Sequence, residues 1–404
     1  MNVNLNVSSP QANFSPTHNP FKSFWMAGYE CTDQLNAFGN RVDFLNLTGH
    51  LQLLDQDYQN LSSFNIKTVR EGIRWSQVER KPYEYDWSTV ATMLERGKVH
   101  GIQQVWDLCH FGYPDDLTPL HPLFARRFAA MCRAFVQFYR SVNPDAVLIV
   151  TPINEVSFIS WLGGDVRGTT PYSIRQGGEV KYGLMRAYIE GIAAMREVDP
   201  GVRILTTEPL IQVVAPFNPT AADLEQTHRE NESQFEAVDM LCGRLCPELG
   251  GKPEYLDILG FNFYYENRWT MGFKGTLCWR NEQNDPRWAT LADLLVNAYL
   301  RYEKPLALTE TSHPGIDRPD WIRYIAKECA NVLQMGIPLW GVCLYPIIDR
   351  PCWDHLHPWH RAGLWDAEDQ PGEIPQRLLY QPYAEALLEA QELVSLALAP
   401  ETIY

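Results

Sequence analysis

Eight short apolar runs, each separated from the next by a helical pattern, constrain this 404-residue chain more than any other feature. The runs are Phe24–Tyr29, Lys67–Ile73, Gln103–Leu108, Val147–Ile153, Val202–Thr207, Leu256–Asn262, Leu306–Thr309 and Trp340–Tyr345. Polar or turn residues flank each of them, as they must flank a strand buried on both faces. Between the runs, Phe124, Phe128, Met131, Phe135 and Phe138 recur at steps of four and three, which draws one apolar stripe along a helix. Trp321, Ile325, Cys329, Val332 and Leu333 repeat that spacing. Further helices are predicted near His50–Phe64, Thr89–His100, Lys181–Val198, Asp223–Leu245, Ala289–Tyr302 and Pro382–Leu398. Strict alternation of this kind means a parallel sheet covered by helices, and eight units point to closure into an α/β (β/α)8 TIM barrel. An open doubly wound sheet is the competitor. The first run, however, ends in Gly28-Tyr29-Glu30-Cys31 and not in a glycine-rich phosphate turn. No internal repeat or low-complexity linker divides the chain, so a single barrel domain is expected over residues 21–404. Residues 1–20, rich in Asn, Ser and Pro, read as a flexible tail.

A net charge of −15 argues against nucleic acid, which needs a basic face. The nine cysteines show no CxxC spacing. Cys242 and Cys246, four apart in a predicted helical stretch, would need further ligands to bind zinc, and none cluster nearby. Neither a metal nor a cofactor is expected. The segment from Met1 to Asn19 lacks the basic flank and apolar block of an export signal, and no run reaches the ~18 residues of a membrane span. A cytoplasmic protein without a membrane partner is the expectation.

Barrel active sites form at the C-terminal ends of the strands, so the polar residues that terminate the runs matter most. They are Glu30, Arg70 with Glu71, Asp107 with His110, Asn154 with Glu155, Glu208, Asn262 with Tyr264, Glu310, and Asp349 with Trp353. Carboxylates, a histidine, an arginine and aromatics at one mouth suit sugar chemistry. There two carboxyl groups flank a glycosidic bond and aromatic faces stack on the ring.

Six of these segments, in order, resemble the strand ends of glycoside hydrolase clan A, and of family 1 β-glycosidases in particular. Thr151-Pro152-Ile153-Asn154-Glu155 is similar to the fourth-strand acid/base motif, and Leu308-Thr309-Glu310-Thr311 to the seventh-strand nucleophile motif. Val69–Trp75 is similar to the second-strand segment whose Arg, here Arg70, supports the nucleophile. Cys109–Pro114 resembles the third-strand segment with a sugar-binding His, here His110. Leu259–Tyr265 resembles the sixth-strand segment whose Tyr, here Tyr264, contacts the nucleophile. Tyr345–Trp353 resembles the eighth-strand loop with its sugar-stacking Trp, here Trp353. The resemblance implies a retaining glycosidase acting on a carbohydrate or glycoside through a covalent glycosyl-enzyme. Glu155 would be its general acid/base and Glu310 its nucleophile, with Arg70, His110, Asn154, Tyr264 and Trp353 binding the substrate. Such a pair requires carboxyl groups ~5–5.5 Å apart.

Each residue also has a plainer role to weigh. Glu155 could do no more than meet the positive end of a following helix, although Asn154 beside it could hold a sugar 2-hydroxyl. Glu310 could be a structural ion pair with Arg70, and the same pairing would hold it as the carboxylate that a nucleophile needs. Glu208 closes another run and is the rival nucleophile or a substrate-binding group. His110 could be a core histidine, Asp107 a supporting one of its partners, and Tyr264 and Trp353 packing residues. Two positions depart from the family. Cys352 stands where the family carries a Glu that grips the outer hydroxyls, and the first-strand Gln has only Glu30 or Gln34 as candidates. Glucosides should therefore be poor substrates, with a pentose or deoxy-hexose preferred, unless Asp349, Arg350 or a loop residue takes over the contact. An endo-acting or transglycosylating enzyme of another clan A family is the alternative, and a catalytically silent carbohydrate-binding barrel is a further one. A metal-dependent barrel hydrolase has no His pair at ligand spacing to support it.

Overall fold

The structure is a computed structural model that describes residues 18–272, 275–280, 285–368 and 374–399. All eight predicted runs form parallel strands: β1 (Trp25–Gly28), β2 (Thr68–Gly72), β3 (Gln103–Asp107), β4 (Ile149–Thr151), β5 (Arg203–Ile204), β6 (Leu259–Asn262), β7 (Leu306–Thr311) and β8 (Leu339–Leu344). Neighbours pair in sequence order, and β1 pairs with both β2 and β8. Between β5 and β6 the ring closes through a parallel bridge from Leu205 to Ile258. Beyond it, Glu208–Pro209 pairs with β6 at Phe261 and Asn262. The architecture is a single-domain (β/α)8 barrel whose eight strands close into a ring.

Because side chains alternate across a strand, one set points into the barrel and the other toward the helices. Met26, Val105, Ile149, Leu205, Ile258, Ala307 and Cys343 fill the interior together with Phe21 and Tyr345. The opposite set packs into the larger shell between sheet and helices. There the helix Phe124–Val142 buries Phe124, Phe128, Met131 and Phe135, and Phe138 stacks on Trp87 at 5.4 Å. The helix Arg318–Gln334 buries Trp321, Ile325, Cys329 and Val332, as its spacing requires.

The sequence expectation fails most clearly in one stretch. The predicted helix Asp223–Leu245 is two helices, Ala221–Ser233 and Glu236–Leu241. The second ends at Cys242, before Gly243 with φ +79°, a backbone that suits glycine and stops a helix. Cys246 lies beyond that break in a left-handed conformation, so the two thiols do not share a helical turn. Residues 1–17 of the expected tail lie outside the described residues. Asn19 donates to Trp340 O at 3.0 Å, and Pro20 O accepts from Gln103 at 2.8 Å. No helix among the described residues is long and apolar enough to cross a membrane.

Candidate active site

A cavity of about 970 Å³ opens at the C-terminal ends of the strands, and Glu155 and Glu310 both line it. The chain reaches Glu155 by leaving β4 through a left-handed residue. Glu155 itself has φ 47° and ψ 57° and caps the helix Val156–Gly164. A side chain pays about 1–2 kcal/mol for that backbone, and such strain persists only where the surroundings enforce it. They do so here through the end of β5. The Glu155 N–H donates to Thr207 O at 3.1 Å, the Val156 N–H to Glu208 Oε1 at 2.7 Å and the Ser157 N–H to Glu208 Oε2 at 3.1 Å. Glu208, the rival nucleophile of the sequence, thus holds two helix N–H groups that would otherwise lack partners.

Glu310 is held differently. Arg70 Nη1 donates to its Oε1 at 2.9 Å, and the Tyr264 hydroxyl donates to its Oε2 at 2.6 Å. Arg70 is wholly buried, and the rest of its donors are taken by Asp107 Oδ1 (3.4 Å) and Oδ2 (2.6 Å), Asn154 Oδ1 (3.0 Å) and Thr309 O (2.8 Å). Its planar fork is the group that can serve several oxygens in fixed directions. Asn154 lies 3.2 Å from His110 Nε2, and His110 Nδ1 lies 2.9 Å from Asp107 Oδ2. Arg70, Asp107, Asn154 and His110 therefore form one hydrogen-bonded tier beneath the two glutamates. His110, Tyr264 and Trp353 line the cavity, and Arg70 and Asn154 sit behind its wall.

The electrostatics separate the residues further. Burial raises Glu155 well above the usual carboxyl range, and the nearby charge of Glu310 raises it again, as does that of Glu208. The buried hydroxyl of Tyr264 is likewise pushed up, first by desolvation and then by Glu310 and Glu155, so it keeps its proton and donates. Burial would lower His110, but the hydrogen bond and charge of Asp107, with Glu30, outweigh it and raise the imidazole above its ordinary value.

Three possible metal donors, Cys31 Sγ, Asp107 Oδ2 and His110 Nδ1, lie within 4.8 Å of one another. The same Asp107 oxygen already accepts from Arg70 at 2.6 Å, and burial followed by the Asp107 charge pushes the Cys31 thiol up. The carboxylate oxygen that a cation would need is thus already held by a guanidinium.

Beyond Trp353 and the candidates Glu30 and Arg350, several cavity residues were not chosen from the sequence. Phe111, Phe158 and Trp353 meet with ring centroids 5.4–6.1 Å apart, and Trp161, half exposed, continues the wall 5.7 Å from Phe158. Glu30, Arg350, Tyr345 and His360 line the opposite reach. Arg350 and His360 come from a loop whose course no periodicity marks. Asp349, pushed up to about 6 chiefly by burial, ties that loop together by accepting from the N–H groups of Arg350 and Ala362.

No protein-family model matches the chain, and no curated protein matches it. Solved structures do. A β-glycosidase, BGL167, superposes with a TM-score of 0.70 at 15% identity, over 96% of this chain and 100% of that one. The virulence factor SghA from Agrobacterium tumefaciens gives 0.69 at 16% identity, over 94% and 98%. A family 1 β-glucosidase from Thermotoga maritima, in complex with isofagomine lactam, gives 0.67 at 15% identity, over 85% and 86%. At such identities the likeness establishes the barrel, and the chemistry must be argued from the cavity.

Proposed function

We propose that the protein is a retaining glycosidase that cleaves a β-glycosidic bond by double displacement. Glu310 attacks the anomeric carbon, and Glu155 protonates the leaving oxygen and then deprotonates water. One observation carries the reading: a single cavity holds two carboxyl groups in opposed environments. Glu310 receives hydrogen bonds from a buried guanidinium and a tyrosine, and Glu155 is driven toward its protonated form by burial and by Glu310 itself. Such a division supplies an acid and a nucleophile at one pH. As the glycosyl-enzyme forms, the Glu310 charge is consumed, the Glu155 proton becomes easier to lose, and Glu155 can serve as base in the second step. Further support comes from the aromatic wall, which suits stacking on a sugar and on the group attached to it, and from the fold shared with β-glycosidases. Nine free thiols favour a reducing compartment, and we place the reaction in the cytoplasm.

The test uses 4-nitrophenyl β-glycosides and their alkyl counterparts. Glu310→Ala should lose turnover on all of them, and Glu155→Ala should keep the first step on the nitrophenyl series, whose leaving group needs little protonation. Azide should rescue Glu155→Ala and give a glycosyl azide of retained configuration. Inverted product by NMR, or a dead Glu208→Ala beside an active Glu310→Ala, would overturn the assignment.

A further inference from the structure

We propose that His110 is a positioning residue that serves the site only as a neutral imidazole with its hydrogen on Nδ1, so that protonation of this ring sets the acidic limit of activity. The inference rests on the glycosidase reading of the cavity. It begins with Arg70, whose guanidinium donates and cannot accept. Arg70 Nη2 lies 3.0 Å from Asn154 Oδ1, which fixes the amide with its oxygen toward Arg70 and its nitrogen toward His110. That nitrogen lies 3.2 Å from His110 Nε2. An amide nitrogen donates, so Nε2 must offer a lone pair. The hydrogen of the neutral ring then sits on Nδ1 and is donated to Asp107 Oδ2 at 2.9 Å. Asp107 in turn accepts from Arg70, at 3.4 Å from Nε and 2.6 Å from Nη2. Donors and acceptors alternate around these four residues only while His110 is neutral.

A second proton on the ring breaks that alternation. The new Nε2–H faces the Asn154 nitrogen, donor against donor, and turning the amide over sets the same nitrogen against Arg70 instead. Both side chains are buried, where an unmet donor is costly. The carboxylate open to Nε2–H is that of Glu30, with Oε1 3.9 Å away, and to reach it the ring must leave Asn154. Arg70 holds Glu310 as well as Asn154, and Glu155 follows Asn154 in the chain, so a displaced amide is felt at both glutamates. The surroundings draw that second proton. Asp107 from β3, Glu310 from β7, and Glu30 with the Cys31 thiol beyond β1 face the ring, Cys31 Sγ at 3.3 Å from Nδ1. The Tyr345 hydroxyl beyond β8 lies 3.4 Å from Nε2. Burial keeps the thiol and the phenol protonated and uncharged. The cations stand behind these groups, Arg70 on Asp107 and Arg350 on Glu30. Burial opposes a charged ring, but the hydrogen bond and charge of Asp107, then Glu30 and Glu310, outweigh it and raise His110 above its ordinary 6.5. Activity is therefore full where the ring is neutral and is lost as pH falls through that raised value.

The experiment records kcat/KM on 4-nitrophenyl β-glycosides against pH, for wild type and His110→Gln, beside long-range proton–nitrogen NMR spectra of protein carrying isotope-labelled histidine. The glutamine carbonyl keeps an acceptor for Asn154 and does not titrate. Wild type should lose about tenfold per pH unit below a limit that lies above about 6.5. His110→Gln should hold its own, lower kcat/KM within about twofold across the same range. The His110 signals are identified by their absence from that variant or, should it not fold, by their shift in Cys31→Ser, whose side chain lies beside Nδ1. They should show the Nδ1–H form above the acidic limit and titrate together with it. Three results overturn the inference and leave Glu155 and Glu310 in their roles: an acidic limit that persists in His110→Gln, a His110 titration away from that limit, or a ring that carries its proton on Nε2 throughout the active range. A wild type inactive on every glycoside overturns the function itself, and the inference with it, whatever the spectra show.

Discussion

Glu155 and Glu310 are both glutamates at the end of a parallel strand, and what distinguishes them is their neighbours. Glu310 sits on Arg70 and Tyr264; Glu155 sits above β4, facing Glu310, with Glu208 behind its backbone. The neighbour most open to test is Glu208, which we place as a positioning residue. Its carboxylate fixes the turn that aims Glu155, and its charge helps to keep Glu155 protonated. Because Glu155 is raised, activity that needs its proton is present at lower pH and is lost as pH climbs through its value. Glu208→Gln removes one charge and one acceptor, so the alkaline limb of kcat/KM should move to lower pH. Alkyl glycosides should lose about tenfold, the lower end of the ~1.5–3 kcal/mol of one charge-assisted hydrogen bond, and nitrophenyl glycosides much less. A purely structural Glu208 would instead depress both substrate series equally and leave the pH profile in place. Sequence alone singled out Glu155 and Glu310 as cavity residues, since each follows an apolar run within a recognisable motif, and both line the cavity. It could not assign Glu208, because a carboxylate that caps a neighbouring helix carries no mark in its own segment.

Among the elements, the segment between β1 and β2 shows how a polar cluster can do the work of a core. His50, wholly buried before the helix Leu54–Asn60, lies 2.7 Å from Asp57 Oδ2 and 3.0 Å from Glu71 Oε1 of β2, and stacks on Tyr29 at 3.7 Å. Arg377, in the antiparallel hairpin before the last helix, reaches the same Asp57 at 2.7 Å and 2.9 Å. Chain segments from both ends of the sequence are thus joined by charge in a fully buried site. Burial alone would lower His50, but Glu71 and Asp57 outweigh it and push the imidazole up to about 9. A histidine raised on folding stabilises the native state fully below its unfolded value, near 6.5. That contribution is lost as pH rises through about 9. The thermal midpoint should therefore fall between pH 7 and pH 10, and the fall should be shallower in His50→Gln. Parallel curves for the two proteins would remove His50 as the cause. The predicted helix from His50 to Phe64 placed this histidine on a helix. It precedes the helix because its ring is claimed by partners 7 and 21 residues away, and a periodicity of apolar residues does not record such contacts.

At the scale of the whole molecule, the barrel was legible because each of its eight strands is buried on both faces, which leaves an apolar run that few other structures require. Two features at its ends were not legible. One is the loop that carries Arg350 and His360 to the cavity, since loops are set by turn chemistry and by what they rest on. The other is the closure of the opposite end, where Phe21 joins the inner core beneath Met26, Val105 and Ile149. Its place just past the expected flexible tail gave no sign of that role. Phe21 is only 9% exposed, and the chain before β1 is pinned over the barrel by Asn19 on Trp340 and Pro20 on Gln103. Phe21→Ala should leave a void under the interior layer that the closed ring of strands cannot collapse to fill, at a cost of about 3 kcal/mol. The exposed Ile316, at 84%, provides the control, since Ile316→Ala should change stability by less than ~0.5 kcal/mol. The half-life of activity at a fixed elevated temperature compares the two variants. Phe21→Ala should shorten that half-life well beyond Ile316→Ala while kcat/KM at 25 °C stays unchanged, because the cavity opens at the other end of the strands. Equal half-lives would mean that the inner core closes without Phe21, and a fall in kcat/KM at 25 °C would mean that the floor of the barrel and its catalytic mouth are mechanically coupled.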